Sequence, residues 1–257
     1  MKTSIITITY NAAQFLDATM LSVLNQTCTD YEYLIIDGKS TDETVAIIKK
    51  YEKKIAAGEF VGVKSEQFHW ISEPDKGLYD AMNKGLAMAT CDFVWFVNAG
   101  DKIYENNTLE LILNTYKQNS ESDVIYGQSI IIDEQDNVIG ERHKIAPKRL
   151  TVNSLLKGLV VCHQSILVRK SIAVEYDTSY KITADYDWVC KVVKKSQGNL
   201  YIDNYISRFM ISGVSSTHRK KGLAERYAIM KKHFGLFRTV VAHMAILLKY
   251  PFTRKYS

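Results

Sequence analysis

The chain has 257 residues, of which 46% are hydrophobic and 3 are proline, so it can bury a large core and is not a disordered chain. Its formal net charge of +5 is unevenly divided, because residues 208–257 carry 11 lysines and arginines and one acid, Glu225, while the rest holds 22 basic and 27 acidic residues. This division excludes a uniformly basic nucleic-acid-binding protein, and we expect no nucleic acid partner.

In the first half of the chain, predicted strands alternate with predicted helices at short spacing. This alternation is typical of an α/β fold with a mostly parallel central sheet flanked by helices. The segment Ser40-Thr41-Asp42-Glu43 also has the pattern of a capping box that starts the second helix. The predicted strands are 4–9, 31–37, 69–73, 93–98 and 123–127, and the predicted helices are 12–25, 41–55, 77–89 and 108–118.

The pattern changes after Gly127. Segments 129–133 and 138–141 flank a polar turn and predict a hairpin, and strands are predicted at 164–169 and 200–206 around a helix at 185–195. The tail from residue 222 is helical by pattern, with an interruption at Gly235 and an end at Pro251. The second half is therefore predicted to be mixed, with a basic helical extension at its end.

Neither a signal peptide nor a membrane-spanning segment is expected. Residues 1–6 are strand-like, and no run of about 18 uncharged apolar residues occurs. The four cysteines lie far apart without a CxxC pair, which is typical of reduced thiols in a cytosolic protein. These features favour a cytoplasmic protein.

Polar residues follow each of the first four predicted strands, where the carboxyl edge of a parallel sheet binds ligands. No GxGxxG turn follows the first strand, and no P-loop is present, so dinucleotide and triphosphate cradles of those kinds are not expected. The remaining hypothesis is a nucleotide whose base and ribose are held by side chains and whose diphosphate charge is met by a metal or a cationic group. The four segments are 9–11, 37–40, 75–77 and 98–101.

Six motifs then appear in order: SIITITYN, IIDGKSTDET, SEPDKGLYDAMNKG, WFVNAGD, CHQSILVRK and ITADYDW. Together they resemble the serial motifs of inverting family 2 glycosyltransferases with the GT-A fold, and most closely those of bacterial colanic acid and capsular polysaccharide biosynthesis. The resemblance covers residues 2–216. It implies a glycosyltransferase domain over 1–216, with a nucleotide-sugar-binding half (1–127) and an acceptor-binding, catalytic-base half (128–216), followed by a basic extension (217–257).

The resemblance also implies a role for individual residues. Asp101 would bind a divalent metal, Mn²⁺ or Mg²⁺, on the donor diphosphate, and Asp185 would be the general base that takes the proton of the acceptor hydroxyl. His163 and Gln164 are candidates for the acceptor site, and His218 is an outside candidate for the metal. The nucleotide-sugar pocket would comprise Thr9, Tyr10, Asn11, Asp37, Asp75, Gly77, Asn83, Asn98 and Gly100.

The chain departs from the family pattern at two of these places. The usual Asp-x-Asp metal motif is Asn98-Ala99-Gly100-Asp101 here, which leaves one carboxylate, and Ala184 stands where an acid commonly precedes the base. Structural roles compete with the functional ones: His163 could be a hydrogen-bonded core residue and His218 a solvated one. Asp185 and Asp187 could both be ordinary solvated acids at the start of a helix.

The predicted function is transfer of a sugar from a nucleoside-diphosphate sugar, with a UDP-sugar preferred over a GDP-sugar, to a hydroxyl of a glycan or polyprenyl-linked glycan in surface polysaccharide biosynthesis. The alternatives are a sugar nucleotidyltransferase and a non-catalytic membrane or RNA adaptor on a degenerate transferase fold. The tail predicts peripheral contact with the inner face of the cell membrane, because a short apolar segment, 239–248, is flanked by cations. A helix packed on the domain or across a homodimer is the alternative for the tail.

Overall fold

The computed structural model describes the backbone of residues 1–211 and 219–249, and the side chains of 1–211 and 220–244. These ranges form one sheet with helices on both faces, and three short 3₁₀ turns at Ser65–Gln67, Val152–Lys157 and His163–Ser165. The strands are β1 (Thr3–Thr9), β2 (Tyr31–Asp37), β3 (Phe68–Ser72), β4 (Phe93–Phe96), β5 (Lys102–Ile103), β6 (Val124–Ile132), β7 (Val138–Glu141), β8 (Ile166–Arg169) and β9 (Asn199–Met210). The helices are α1 (Ala13–Leu24), α2 (Thr44–Ala56), α3 (Leu78–Met88), α4 (Thr108–Lys117), α5 (Ala184–Lys195), α6 (Arg219–Phe234) and α7 (Leu236–Lys249).

The sheet is parallel in its first half and mixed in its second. Its strand order is β3-β2-β1-β4-β8-β6-β9-β5, with β7 paired to β6 outside this path. The pairs β1–β2, β2–β3 and β1–β4 are parallel, as the alternation of strands and helices predicts. β8 runs antiparallel to β4 and β6, so the sheet changes direction beside the strand that precedes Asp101.

Two apolar layers cover the two faces of the sheet, as expected for a mostly parallel sheet with helices on both faces. Alternate residues of one strand enter different layers: Ile6 and Ile8 of β1 pack with α3, α5 and α6, whereas Ile5 packs with α1, α2 and α4. Such a strand is buried along its whole length, and all seven residues of β1 and of β2 are buried. The predicted α/β fold with helices on both faces is confirmed.

Two local predictions differ from the structure, and a third is confirmed. Helix α2 begins at Thr44, and its first amide is bound by Asp42 Oδ1 at 3.0 Å, so the capping box at Ser40 is wrong. Segments 123–127 and 129–133 form one strand, β6, because its partner β9 extends from Asn199 to Met210 alongside it. The hairpin of β6 and β7 is confirmed, with Ile132 opposite Val138.

Helix α6 of the tail packs on the domain. Ile229, Met230 and Phe234 are buried in the apolar layer that contains α5. Asp187 of α5 accepts from His233 Nε2 at 2.7 Å and pairs with Lys232 at 3.1 Å. The packing role that the sequence left open for the tail therefore holds for this helix.

Candidate active site

The carboxyl ends of β1, β2 and β3 are in register, which brings the first three predicted loops together. Thr9 lies opposite Asp37, and Asp37 lies opposite Ser72. Asp37 is fully buried, and its carboxylate accepts from Ser40 N at 3.0 Å and from the hydroxyls of Ser40 and Ser72. The carboxylate thus fixes the β2–α2 loop; its predicted contact with the nucleotide stays a prediction.

Asn11 connects that loop to the end of β1. Its backbone has a φ of 46°, its Oδ1 accepts from Thr41 N at 2.8 Å, and its own amide donates to Ser40 Oγ at 2.8 Å. Since Asx side chains tolerate this backbone region, the residue type suits the turn. The arrangement holds the Tyr10 side chain at the surface with 62% exposure, available to a base.

Gly38, in the loop after β2, lies close to the side chains of Asp75 and Tyr10. A Cβ at this position would overlap Asp75 Oδ2 and would lie 3.2 Å from Tyr10 Cδ2, so a larger residue would have to displace the Asp75 side chain. Tyr10 and Asp75 therefore converge from two loops on one side of Gly38. Asp75 is held by Gly77 N, which donates to its Oδ1 at 2.8 Å. These contacts assemble five of the predicted pocket residues at one edge: Thr9, Tyr10, Asn11, Asp75 and Gly77.

Asn83 has a different environment from those residues. Its Nδ2 donates to Tyr176 O at 3.0 Å and its Oδ1 accepts from Tyr176 N at 2.7 Å. Both ends of the amide therefore hold the backbone of residue 176, and the predicted contact of Asn83 with the nucleotide stays a prediction.

Asp101 is 6% exposed at the end of the fourth loop. Its Oδ1 accepts from Met210 N at 3.0 Å, and burial raises the pKa of the carboxyl to about 7 against the lowering effect of hydrogen bonds from Met210 and Gln164. Gly100, which precedes it, donates its amide to Thr19 Oγ1 at 2.9 Å. Gln164, predicted for the acceptor site, is thus placed beside the predicted metal ligand.

The residues at this place suit a hard divalent cation. Asn98 Oδ1 and Thr9 Oγ1 are buried oxygens without a hydrogen-bond partner among the described residues. Carboxylate and amide oxygens are ligands that Mn²⁺ and Mg²⁺ accept, and a cation would offset the buried charge of Asp101. Within residues 1–211 and 219–249, no cluster of three or more His, Cys, Asp or Glu side chains is arranged to hold a metal by itself. A cation here would therefore share its coordination with other oxygens, such as those of a diphosphate. His218 lies outside the described residues.

Asp185 lies in the first turn of α5, half-buried at the surface. Its Oδ1 accepts from Tyr186 N at 2.8 Å, with Tyr79 Oη at 3.5 Å. Burial raises its pKa to about 6, although the Tyr186 amide and the charge of Arg142 act in the opposite direction. A carboxylate with this pKa is mostly ionised at pH 7 and remains basic enough to take a proton, as a general base requires.

Asp187, two residues later, has a different role. It is fully buried, and hydrogen bonds from His233, Lys191 and Lys232 outweigh burial and hold the pKa of its carboxyl well below the usual range. Its charge is neutralised by Lys191 at 2.7 Å and Lys232 at 3.1 Å. Asp187 therefore anchors α6, which leaves Asp185 as the acid of this turn that is free to react.

His163 is 4% exposed and lies among aromatic rings of the core. Its Nε2 is 2.7 Å from Tyr176 Oη, and its ring packs against Phe96 and Trp188. Burial lowers its pKa to about 4, so the imidazole is neutral at pH 7. The structure favours the core alternative for His163, and its contact with an acceptor stays a prediction.

Two features of the site were missed by the sequence reasoning. Tyr79 Oη donates to Ile182 O at 2.9 Å and so joins the helix after Gly77 to the segment before Asp185. Glu225 of α6 accepts from Lys181 N, Ile182 N and Thr183 N at 2.8–3.0 Å, immediately before α5. Glu225 had a signal, because it is the single acid in a tail with 11 cations. Tyr79 had none beyond its place in the third motif.

Comparisons with known proteins support the family that the six motifs resemble. The model of the family described as Glycosyl transferase family 2 matches residues 4–176. A PGL/p-HBAD biosynthesis glycosyltransferase of Mycobacterium bovis is 32% identical over 188 residues, which are 72% of this chain and 67% of that protein. The family match contains every predicted site residue from Thr9 to Gln164, while Asp185 lies beyond residue 176.

Two solved structures share the fold. Staphylococcus aureus TarS 1-349 in complex with UDP superposes with a TM-score of 0.68 at 20% identity, covering 90% of this chain and 64% of that one. A mannosyltransferase of Pyrobaculum calidifontis in complex with GDP-Man and Mn²⁺ superposes with a TM-score of 0.62 at 13% identity, covering 97% of this chain and 75% of that one. The chain spans about two thirds of the length of TarS 1-349.

Proposed function

The chain belongs to glycosyl transferase family 2 and is a glycosyltransferase, and we propose that it moves one sugar, with inversion, from a nucleoside-diphosphate sugar to a hydroxyl of a glycan or polyprenyl-linked glycan. The observation that carries this proposal is the half-buried carboxylate of Asp185, whose pKa of about 6 suits a general base. The acceptor hydroxyl loses its proton to Asp185, and its oxygen attacks the anomeric carbon from the face opposite the diphosphate. One displacement inverts that carbon.

The nucleotide is proposed to bind at the edge formed by the first three loops. Tyr10 offers an exposed ring to the base, and Asp75 lies beside it across Gly38. The binding of UDP to TarS, and of GDP-Man to the Pyrobaculum enzyme, supports a nucleoside-diphosphate donor, and UDP is our preferred nucleotide. No described loop is a triphosphate cradle, which argues against a nucleotidyltransferase.

Asp101 and Asn98 are proposed to hold the divalent metal. When bound, Mn²⁺ or Mg²⁺ would offset the negative charge that develops on the leaving diphosphate. Asp101 is held in place by Met210 N, so its carboxylate is oriented before the cation arrives. Burial of the carboxyl, together with the unpartnered oxygen of Asn98, supports the assignment.

Calorimetry of the intact chain with UDP, GDP and TDP, with and without Mn²⁺, tests both assignments. We expect Mn²⁺ to strengthen nucleotide binding in the wild type and to have little effect in Asp101→Asn, because the substitution removes the one carboxylate at this place. Asp203→Asn, whose side chain is 76% exposed, is the control. Absence of binding by every nucleotide would contradict the proposed function and favour the adaptor, while an unchanged Mn²⁺ effect in Asp101→Asn would contradict the metal site alone.

We also propose that α7 lies at the surface of an anionic membrane. No described helix is long and apolar enough to cross one. However, Phe237, Val240, Val241 and Met244 recur at helical spacing and are 40–80% exposed, so they form an apolar stripe. An apolar stripe on a basic tail suits the headgroup boundary of an anionic leaflet, where a lipid-linked acceptor would also lie. We propose that the enzyme acts in the cytoplasm, at the inner face of the cell membrane, in the synthesis of a capsule or another surface polysaccharide.

A further inference from the structure

Three cations lie together where the segment after β7 meets α6, and none of them has an acidic partner within ion-pair distance among the described residues. Arg142 and Lys144 come from the segment after β7, and Arg226 comes from α6. Lys144 and Arg226 lie against Gly158, the residue that ends the 3₁₀ turn Val152–Lys157, and Arg142 Nη2 is 3.5 Å from the carbonyl oxygen of the next residue, Leu159. A Cβ on Gly158 would lie 2.6 Å from Arg226 Nη2 and 2.7 Å from Lys144 Nζ, so the two cationic groups are separated by no more than the sum of those distances.

Their hydrogen-bonding capacity is largely unused. Arg226 Nη2 donates to Lys157 O at 3.0 Å, but Arg226 Nε is buried without a partner. Arg142 Nη1 is also buried without a partner, and Arg142 Nη2 reaches Leu159 O only at 3.5 Å. No salt bridge within the described residues includes Arg142, Lys144 or Arg226. Buried polar groups of this kind are normally satisfied, because an unpaired buried charge costs several kcal/mol.

The charges repel one another as the structure stands. Burial, with the neighbouring charges of Arg226 and Arg142, lowers the pKa of Lys144 to about 7. Burial also lowers the pKa of Arg226. The acid that acts on Lys144 is Asp185, and Asp185 in turn experiences the charge of Arg142. A like-charge cluster next to the general base is therefore held together at a cost in stability, which is typical of a site that awaits an anion.

We propose that Arg142, Lys144 and Arg226 form a subsite for an anionic group of the acceptor, a phosphate or a carboxylate, which positions the neighbouring hydroxyl at Asp185. This inference rests on the proposed transfer function. Guanidinium and ammonium groups are the usual ligands of such anions, and the fork of Arg226 directs Nε and Nη2 to the same side. The donor diphosphate is a less suitable occupant, because it is expected beside Asp101 and Asp75, while the charge that couples to Lys144 is that of Asp185.

The test uses the intact chain saturated with UDP and Mn²⁺, so that the diphosphate position is filled. Binding of sulfate is measured by calorimetry at pH 8, at constant ionic strength adjusted with chloride. We expect wild-type protein to bind sulfate and to take up a fraction of a proton, seen as a dependence of the heat on the buffer, because the anion raises the pKa of Lys144 from about 7. Sulfate is suitable since its own charge is constant near this pH.

Lys144→Met and Arg226→Met should each weaken sulfate binding by about tenfold or more, since each removes a charge-assisted contact. Lys144→Met should also raise the melting temperature, because it relieves repulsion, so loss of binding would not reflect unfolding. Lys148→Met, whose side chain is 83% exposed, is the control. Wild-type protein that binds no sulfate, or variants that bind it as the control does, would overturn the subsite. Variants whose UDP affinity falls with that for sulfate would assign the cations to the donor instead. If UDP fails to bind the wild type, it is the proposed function that fails.

Discussion

At the scale of single residues, the distinction between Asp185 and Asp187 is made by their partners. Both acids are in the first turn of α5, where the sequence allows either to be a helix-start acid. Asp187 is neutralised by Lys191, Lys232 and His233, whereas Asp185 is bound by one amide and a distant tyrosine. Lys191 is four residues away in the same helix, but Lys232 and His233 come from α6, far along the chain, so a single sequence cannot reveal them.

Asp185→Asn should keep nucleotide binding and lose transfer. The amide retains the shape of the side chain but takes no proton, and a general base typically contributes about 10²–10⁴-fold to the rate. Initial rates at saturating donor and calorimetry with UDP measure the two effects separately. Asp203→Asn, an exposed acid, is the matched control. A transfer rate within a few-fold of the wild type would exclude Asp185 as the base.

The pH dependence of transfer should follow the same carboxyl. Its folded pKa of about 6 is raised by burial, so the reactive, ionised form predominates above pH 6 and is lost as the pH falls through that value. The turnover rate at saturating donor and Mn²⁺ should therefore decrease by about tenfold per pH unit well below pH 6. The residual rate of Asp185→Asn should not show this decrease. A wild-type rate that is constant between pH 7 and pH 5 would contradict the assignment.

At the scale of elements, Glu225 connects the tail to the segment that precedes Asp185, the proposed base. Its carboxylate accepts three amides that precede α5, and these hydrogen bonds outweigh burial and lower its pKa. The N-terminal turn of α5 carries Asp185, so α6 helps to hold the proposed base in position.

Glu225→Gln should therefore destabilise the fold and reduce transfer together. Replacing a charged acceptor of three amides by a neutral one should cost about 1–3 kcal/mol in the free energy of unfolding. Urea denaturation measures this loss, and initial rates measure the effect on Asp185. Glu134→Gln, in the exposed turn between β6 and β7, should change neither. If Glu225→Gln unfolds at the same urea concentration as the wild type, the capping contact is not important for stability.

The first half of the fold could be predicted because its signals are local. Strands β1, β2 and β4 are apolar on both faces, and each ends in polar residues that reach one edge by parallel register. The second half could not be predicted to the same extent. β9 pairs with β6 over residues that are about 75 positions apart, and the cluster of Arg142, Lys144 and Arg226 joins segments from two ends of that half. Such long-range contacts leave no periodic pattern in one sequence.

At the scale of the whole molecule, the tail forms two helices, of which α6 is packed into the core and α7 exposes apolar side chains on one side. Helix α6 buries Ile229, Met230 and Phe234 in the core, so a chain that stops near residue 221 would expose that core and lose the Glu225 cap. Helix α7 follows Gly235 and packs beside the 3₁₀ turn through the buried Thr239 and a bond from Arg238 to Asn153 Oδ1 at 2.8 Å. Its opposite side carries the apolar stripe.

The stripe should bind anionic membranes. Phe237→Ser with Val241→Ser removes two of its four apolar side chains, which are 80% and 50% exposed, without touching a core contact. Full-length protein should float with phosphatidylglycerol vesicles at low salt and less at high salt, because apolar burial and cationic attraction act together. The double variant should remain at the bottom of the gradient, and so should a chain ending at Gly235. Both should keep the circular dichroism signal of the folded core. Val61→Ser, which replaces an apolar residue that is 90% exposed in another loop, should float as the wild type does.

The membrane role would be contradicted if the wild-type protein does not float but sediments as a dimer, and if the double variant abolishes that dimer. The stripe would then be assigned to a homodimer interface.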